Sequence, residues 1–202
     1  MSRRLWIAIA TVGALVIGAT PALAQKVSLA PTFGVYFPTT ELVKAINGQS
    51  FKQEVGLAVG GRLGVGLSQR LGLQFTGSYV PSNLRFAFDG TNQTTDASLF
   101  FGAGKLSFFL LPPTSPVSFQ LNGGVALVKR SGTAYRDLTD KTSVGGTVGA
   151  QLGLRLGPLP LQFAVETYLY KQQIDGLTSA TGEQASQKDV QLSIGFGLPF
   201  NH

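Results

Sequence analysis

From Val27 onward the sequence keeps a two-residue alternation that few folds can use. Successive side chains of a β-strand point to opposite faces, so this period sets one chemistry on each face. The last segment is the clearest. Val190, Leu192, Ile194, Phe196, Leu198 and Phe200 share one face, while Asp189, Gln191, Ser193, Gly195, Gly197 and Pro199 share the other. The same pattern starts at Val27, Val55, Leu71, Val117, Val144 and Leu159. With the stretch 97–111, this predicts eight strands and an all-β chain.

The stretch 97–111 breaks the rule, because Leu99, Phe101 and Phe109 oppose Phe100, Phe108 and Leu110. A bulge near Gly102 or Gly104 would flip the parity and restore a single apolar face. Lys105 falls inward and Leu106 outward. Connections alternate strictly between long (39–54, 81–96, 130–142, 172–187) and short (69–70, 111–115, 157–158). All long loops then emerge at one end, the layout of an antiparallel up-and-down transmembrane β-barrel. Lipid requires the sheet to close, since an open edge leaves backbone groups unsatisfied.

Charge separates this barrel from a soluble one. Only 13% of residues are charged, about half the usual share. Nine of the ten acids fall in or beside the long connections, Asp189 among them, with nine cations including Arg130. The polar faces are mostly Gly, Ser, Thr and Gln, which suit the narrow interior of an eight-stranded barrel. The apolar faces are therefore assigned to lipid. Glu166 is the single acid in a strand body, and Arg62 and Lys105 are cations at similar depth. Buried charges need partners, so these three are expected to form a lumen cluster that plugs the barrel. Tyr168, Tyr170, Gln151 and Gln191 are expected to fill the remaining lumen. Phe37, Tyr79, Phe86, Phe88 and Phe100 fit one aromatic girdle, and Phe108, Phe119 and Phe200 the other.

The first residues read differently. Arg3 and Arg4 precede an apolar run from Leu5 to Ala19, and Pro21-Ala22-Leu23-Ala24 supplies an A-x-A site. Residues 1–24 are expected to be a cleaved signal peptide and 25–202 the barrel, which makes the product an exported one. Losing Arg3 and Arg4 lowers the net charge from +6 to +4.

Little catalytic chemistry is available. There is no Cys and one His, which removes thiol catalysis, Cys-ligated metal sites and multi-histidine metal sites. His202 has no neighbouring Ser–acid pair to orient it as a base. No catalytic residue, metal ligand or cofactor is assigned. Gly60-Gly61 and Gly145-Gly146 lack the strand–turn–helix context of a phosphate loop. A nucleic-acid surface would need an exposed basic stripe, and none is present in the sequence pattern.

With these features together, the chain resembles small eight-stranded outer-membrane β-barrels of the OmpA/OmpX type. The segment Val190–Phe200 is similar to their assembly signal, with Phe196, Leu198 and Phe200 as its apolar row, although here Asn201 and His202 follow the final aromatic. The resemblance implies a non-enzymatic outer-membrane protein of a Gram-negative-type cell, with its N-terminus periplasmic. Its partners would be outer-membrane lipid and the export and barrel-assembly machinery, with an extracellular ligand left open. Architecture does not settle function: a structural or interaction barrel with four surface loops stands beside a small pore or conduit for ions or apolar solutes.

Overall fold

A computed structural model describes residues 27–39, 43–46, 49–88, 91–136, 141–156, 159–172 and 185–200. The expected signal peptide lies outside them, as do Asn201 and His202. In chain order the strands are β1 (Val27–Pro38), β2 (Val43–Ile46), β3 (Gln49–Gln53), β4 (Gly56–Gly66), β5 (Leu71–Val80), β6 (Asn83–Phe88) and β7 (Thr91–Asp96). They continue as β8 (Ser98–Leu111), β9 (Val117–Ser131), β10 (Thr142–Leu156), β11 (Leu159–Gln172), β12 (Ala185–Phe196) and β13 (Leu198–Phe200). A 3₁₀ turn, Thr133–Tyr135, follows β9.

The wall runs β1-β4-β5-β8-β9-β10-β11-β12, every pair antiparallel, with β13 continuing β12. Val35 stands opposite Leu192 and Val27 opposite Phe200, so first and last strands close the cylinder. The alternation explains the closure. Apart from β8, each wall strand offers one apolar and one small or polar face, and only a closed sheet satisfies every edge in lipid. Gly60 permits part of the tight coiling: a Cβ there would stand 2.1 Å from the Gly77 carbonyl oxygen.

The first two long connections form sheet of their own, in the order β2-β3-β6-β7. Asn83 pairs with Asp96 and Val80 with Leu99, one continuous register, so the β6–β7 hairpin prolongs the β5–β8 ladder beyond the wall. Gly132, at φ 111°, turns the chain from β9 into the 3₁₀ segment.

The outer surface is an apolar belt. Leu57, Phe33, Phe75, Val125, Val165 and Phe196 project outward and stay exposed, as a lipid-facing wall requires. Phe37, Tyr79 and Phe100 stand outward towards the long-connection end, and Phe108 towards the other. The side chains of Phe86, Phe88 and Phe200 lie outside the described residues.

Two expectations need correction. β8 keeps its register from Ser98 to Phe109 with no bulge near Gly102 or Gly104; its irregularity falls between Phe109 and Leu111. Leu99 and Phe101 therefore point inward and are buried, at 2% and 1% exposure. They face a dry, packed part of the lumen, where an apolar side chain is the right filler. Arg130 and Asp189, read as loop charges, lie within β9 and β12, each 1% exposed. Their strands extend further than expected, and strand parity turns both inward. Glu166 is thus not the single acid in a strand body.

Candidate functional site: the barrel interior

Inward side chains change size along the barrel axis. Towards the long connections they include Tyr36, Leu99, Phe101, Val128, Tyr168 and Tyr170, all buried. Towards the short turns they include Ser28, Gly64, Gly66, Gly72, Ser118 and Gly153. An eight-stranded barrel is just filled by ordinary side chains, so small residues leave one half open. The interior accordingly has three levels.

The middle level is a charge network. Lys105 Nζ donates to Glu166 Oε1 at 2.5 Å, and Arg62 Nη2 donates to the same oxygen at 3.4 Å. Tyr168 donates its hydroxyl to Glu166 Oε2 at 2.9 Å, which leaves neither carboxylate oxygen unsatisfied. Arg62 also donates to Gln162 Oε1 at 3.3 Å and Ser193 Oγ at 3.2 Å. Exposures of 4% for Arg62, 3% for Lys105 and 3% for Glu166 put all three ions out of bulk water. At such burial, desolvation rivals the Coulomb gain, so geometry and extra hydrogen bonds decide the net stability. The shorter Lys105 contact is the stronger one. Three strands, β4, β8 and β11, are tied across the lumen by these contacts.

The level above is aromatic and nearly solid. Phe101 stacks between Tyr36 and Tyr168, at ring-centroid distances of 5.5 and 4.8 Å with tilted planes. Beyond it, Arg130 sits 5.3 Å from the Tyr170 ring centroid and donates to Ser143 Oγ at 3.1 Å. Tyr170 donates its hydroxyl to Asp189 Oδ2 at 2.5 Å, and Asp189 is also hydrogen-bonded by Tyr36. Tyr135, from the 3₁₀ turn, reaches back into this level and donates to Gln53 Oε1 at 2.6 Å, while Gln53 Nε2 donates to the Ala97 carbonyl at 2.8 Å. Burial pushes the Tyr135 hydroxyl up to a pKa of about 12, so it stays a donor at neutral pH. The void among Tyr36, Leu99, Arg130, Tyr170 and Asp189 is about 10 Å³, roughly the space for one water.

The level below, at the short-turn end, is open. A vestibule of about 710 Å³ runs inward as far as Arg62, Gln74, Ser107, Gln120 and Gln151. That is the size of small-molecule sites, about 300–1,000 Å³. Gln74 Nε2 donates to Gln151 Oε1 at 2.9 Å across it. At the rim, Arg155 donates to the Pro113 carbonyl at 3.1 Å. The expectation of a wholly filled lumen is therefore met only in part, because so many inward residues of this half are Gly or Ser.

The geometry brings Arg62, Lys105 and Glu166 together. Gln191 exchanges hydrogen bonds with Ser78 at 3.0 and 3.1 Å. Sequence reading missed Arg130, Gln53 and Tyr135 as interior groups; it set Asp189 on the polar face beside Gln191 yet counted its charge with the loops. Parity carried from Ala126 through Val128 along β9 would have found Arg130. Of the three residues of the terminal signal, Phe196 and Leu198 point outward at 45% and 43% exposure, and Phe200 pairs with Val27 through its backbone. Among the described residues, no group of three or more His, Cys, Asp or Glu is placed to hold a metal ion.

No protein-family model and no curated protein matches the sequence. Solved structures do. OprG from Pseudomonas aeruginosa superposes with a TM-score of 0.67 at 15% identity, over 89% of this chain and 97% of that one. Neisserial surface protein A gives 0.54 at 15% identity, over 88% and 98%. Outer membrane protein W of E. coli gives 0.51 at 12% identity, over 89% and 100%. Such identities carry the fold alone, and it agrees with the closed wall and apolar belt above: the chain has the fold of the small eight-stranded outer-membrane β-barrels.

Proposed function

We propose that this is a non-catalytic outer-membrane barrel, held in lipid by its wall, with a lumen closed to through-flow and four long connections serving structural or interaction roles at the cell surface. The observation that supports it most is the pair of stacked closures, the Arg62–Lys105–Glu166 network beneath the Phe101–Tyr168–Tyr36 layer. A solute entering from the short-turn end meets charged and aromatic side chains that hold one another on both levels. Outer-membrane placement rests on the shared fold, and on a continuous apolar surface that water would not tolerate. The short turns would face the periplasm, as in other barrels of this layout. The apolar row ending at Phe200 would be read by the assembly machinery.

The test is conductance of the purified barrel in planar bilayers, expected to stay at the lipid baseline. Reproducible steps that vanish when Arg62, Lys105 and Glu166 are neutralised would replace this reading with the pore. Orientation is tested by epitope tags at Asn47, Asn92, Asp137 or Ser179, expected to be reachable on intact cells. Tags at Gln69 or Pro158 are expected to appear only after the outer membrane is permeabilised, and surface labelling there would reverse the orientation.

A further inference from the structure

We propose that the inner end of the short-turn vestibule binds a small oxyanion, a phosphate or carboxylate carried on a polar body, with Arg62 as its anchor. The first observation is charge balance. In the middle level two cations, Arg62 and Lys105, share the one carboxylate of Glu166. One positive charge is left over, away from bulk water, where an uncompensated ion is costly. The vestibule wall adds Arg155 and contains no carboxylate among the described residues, so nothing in its lining supplies the missing negative charge. A low-dielectric cleft lined by one sign of charge also concentrates its counter-ion.

The second observation is an unfinished set of hydrogen bonds. Arg62 Nε, Ser107 Oγ and Gln74 Oε1 are buried without a partner, in side chains that line the vestibule and are 4%, 2% and 3% exposed. Buried polar groups are ordinarily satisfied. With a modest turn of these side chains towards the vestibule, the guanidinium N–H and the hydroxyl would donate to an oxyanion. The amide oxygen accepts, which fits a ligand with a hydroxyl of its own, such as hydrogen phosphate or a hydroxyacid. The vestibule, at about 710 Å³, exceeds what one inorganic ion fills, so the anion has room for an attached polar group among Gln120, Gln151 and Gln162. A neutral sugar would complete the hydrogen bonds but leave the charge. The surplus positive charge is present whether or not the lumen conducts.

The experiment uses the whole barrel, refolded in a non-ionic, phosphate-free detergent, with inorganic phosphate as the probe and glucose as the neutral control. Phosphorus NMR is expected to show the phosphate line broadened by the barrel and unaffected by glucose. Arg62→Gln is expected to abolish the broadening. Glu166→Gln leaves a second cation unbalanced and is expected to tighten phosphate binding about tenfold, the direction Coulomb attraction requires. A purely structural role for these residues predicts no gain from Glu166→Gln.

Should Arg62→Gln not refold, the mouth offers a second arm. The chain has no cysteine, so Ser118→Cys is a unique attachment point for a bulky maleimide. Blocking there is expected to remove the broadening with every charge in place. In nanodiscs of phosphatidylcholine, lost phosphate binding identifies the lipid headgroup as the oxyanion source, and retained binding identifies a free solute. Absence of broadening, or broadening that survives both Arg62→Gln and the blocked mouth, means water alone fills the vestibule and overturns the proposal.

Discussion

Arg130 lies over the face of Tyr170, 5.3 Å from the ring centroid, while the hydroxyl of that ring donates to Asp189 at 2.5 Å. One tyrosine thus separates a buried cation from a buried acid and contacts both. Its two roles can be taken apart. Tyr170→Phe keeps the face for Arg130 and removes one donor from Asp189, which retains Tyr36; the expected loss is about 1–3 kcal/mol. Tyr170→Leu also removes the cation–π contact, adding about 1–2 kcal/mol in a desolvated site. Urea midpoints of the refolded barrel should therefore fall in the order wild type, Phe, Leu. Equal midpoints for Phe and Leu would mean that the ring face contributes nothing.

The middle network is tested by a double-mutant cycle. Glu166→Gln strands two cations, and breaking a buried pair costs up to about 3–5 kcal/mol in a dry interior. Arg62→Gln is expected to be milder, since Lys105 holds the closer contact with Glu166, at 2.5 Å against 3.4 Å. The double variant should recover part of the loss, as coupled neighbours do. Strictly additive losses in urea midpoint would show that Arg62 and Glu166 act independently.

The parity of β8 gives a spectroscopic prediction. The sole tryptophan of the sequence, Trp6, lies within the expected signal peptide, so a barrel expressed from Gln25 has none. Phe100→Trp places the indole on the exposed outer face and Phe101→Trp in the buried lumen. Brominated lipid is expected to quench the first strongly and the second little. The reverse order would restore the bulge near Gly102 or Gly104.

The terminal row is tested in cells. Phe200→Ser is expected to lower the amount of heat-modifiable, folded barrel, whereas deletion of Asn201 and His202 should leave it nearly unchanged. Abolished insertion on that deletion would refute the reading of Phe196, Leu198 and Phe200 as the signal.

The wall was legible because its physics is local. Period-two alternation is a property of neighbouring residues, and β12, with Val190, Leu192 and Ile194 against Gln191 and Ser193, displays it without help from the rest of the chain. The interior was legible where a charge or a large polar side chain stood out against small residues, as Arg62, Lys105 and Glu166 do, and Tyr168, Tyr170, Gln151 and Gln191 beside them. Leu99 and Phe101 were misread because an inward apolar side chain looks like a lipid-facing one unless the neighbouring strands are known. Tyr36, 5.5 Å from Phe101, comes from a segment distant in sequence, and no spacing rule reports that meeting. The charges of Arg130 and Asp189 were misplaced for a simpler reason: charged residues at strand ends were assigned to water, though parity already turned them inward. The open vestibule follows from the Gly and Ser residues of the polar faces, whose consequence depends on volume rather than on pattern.

The seam between β1 and β12–β13 also governs how such a chain reaches its folded state. Val27 meets Phe200, so the contact that closes the cylinder joins nearly the two ends of the described chain. Closing a flexible loop of that length has an entropic penalty of about 4–5 kcal/mol beyond the constant term, and no partial barrel recovers it. Seven hairpin-linked strands still present two bare edges, which lipid cannot satisfy and which other chains can pair with. Every intermediate before the seam forms is thus an aggregation hazard, and the final strand is the one that removes it. A chain of this kind gains by staying unpaired until the β12–β13 segment is at hand, and a closing contact of such long range favours slow folding.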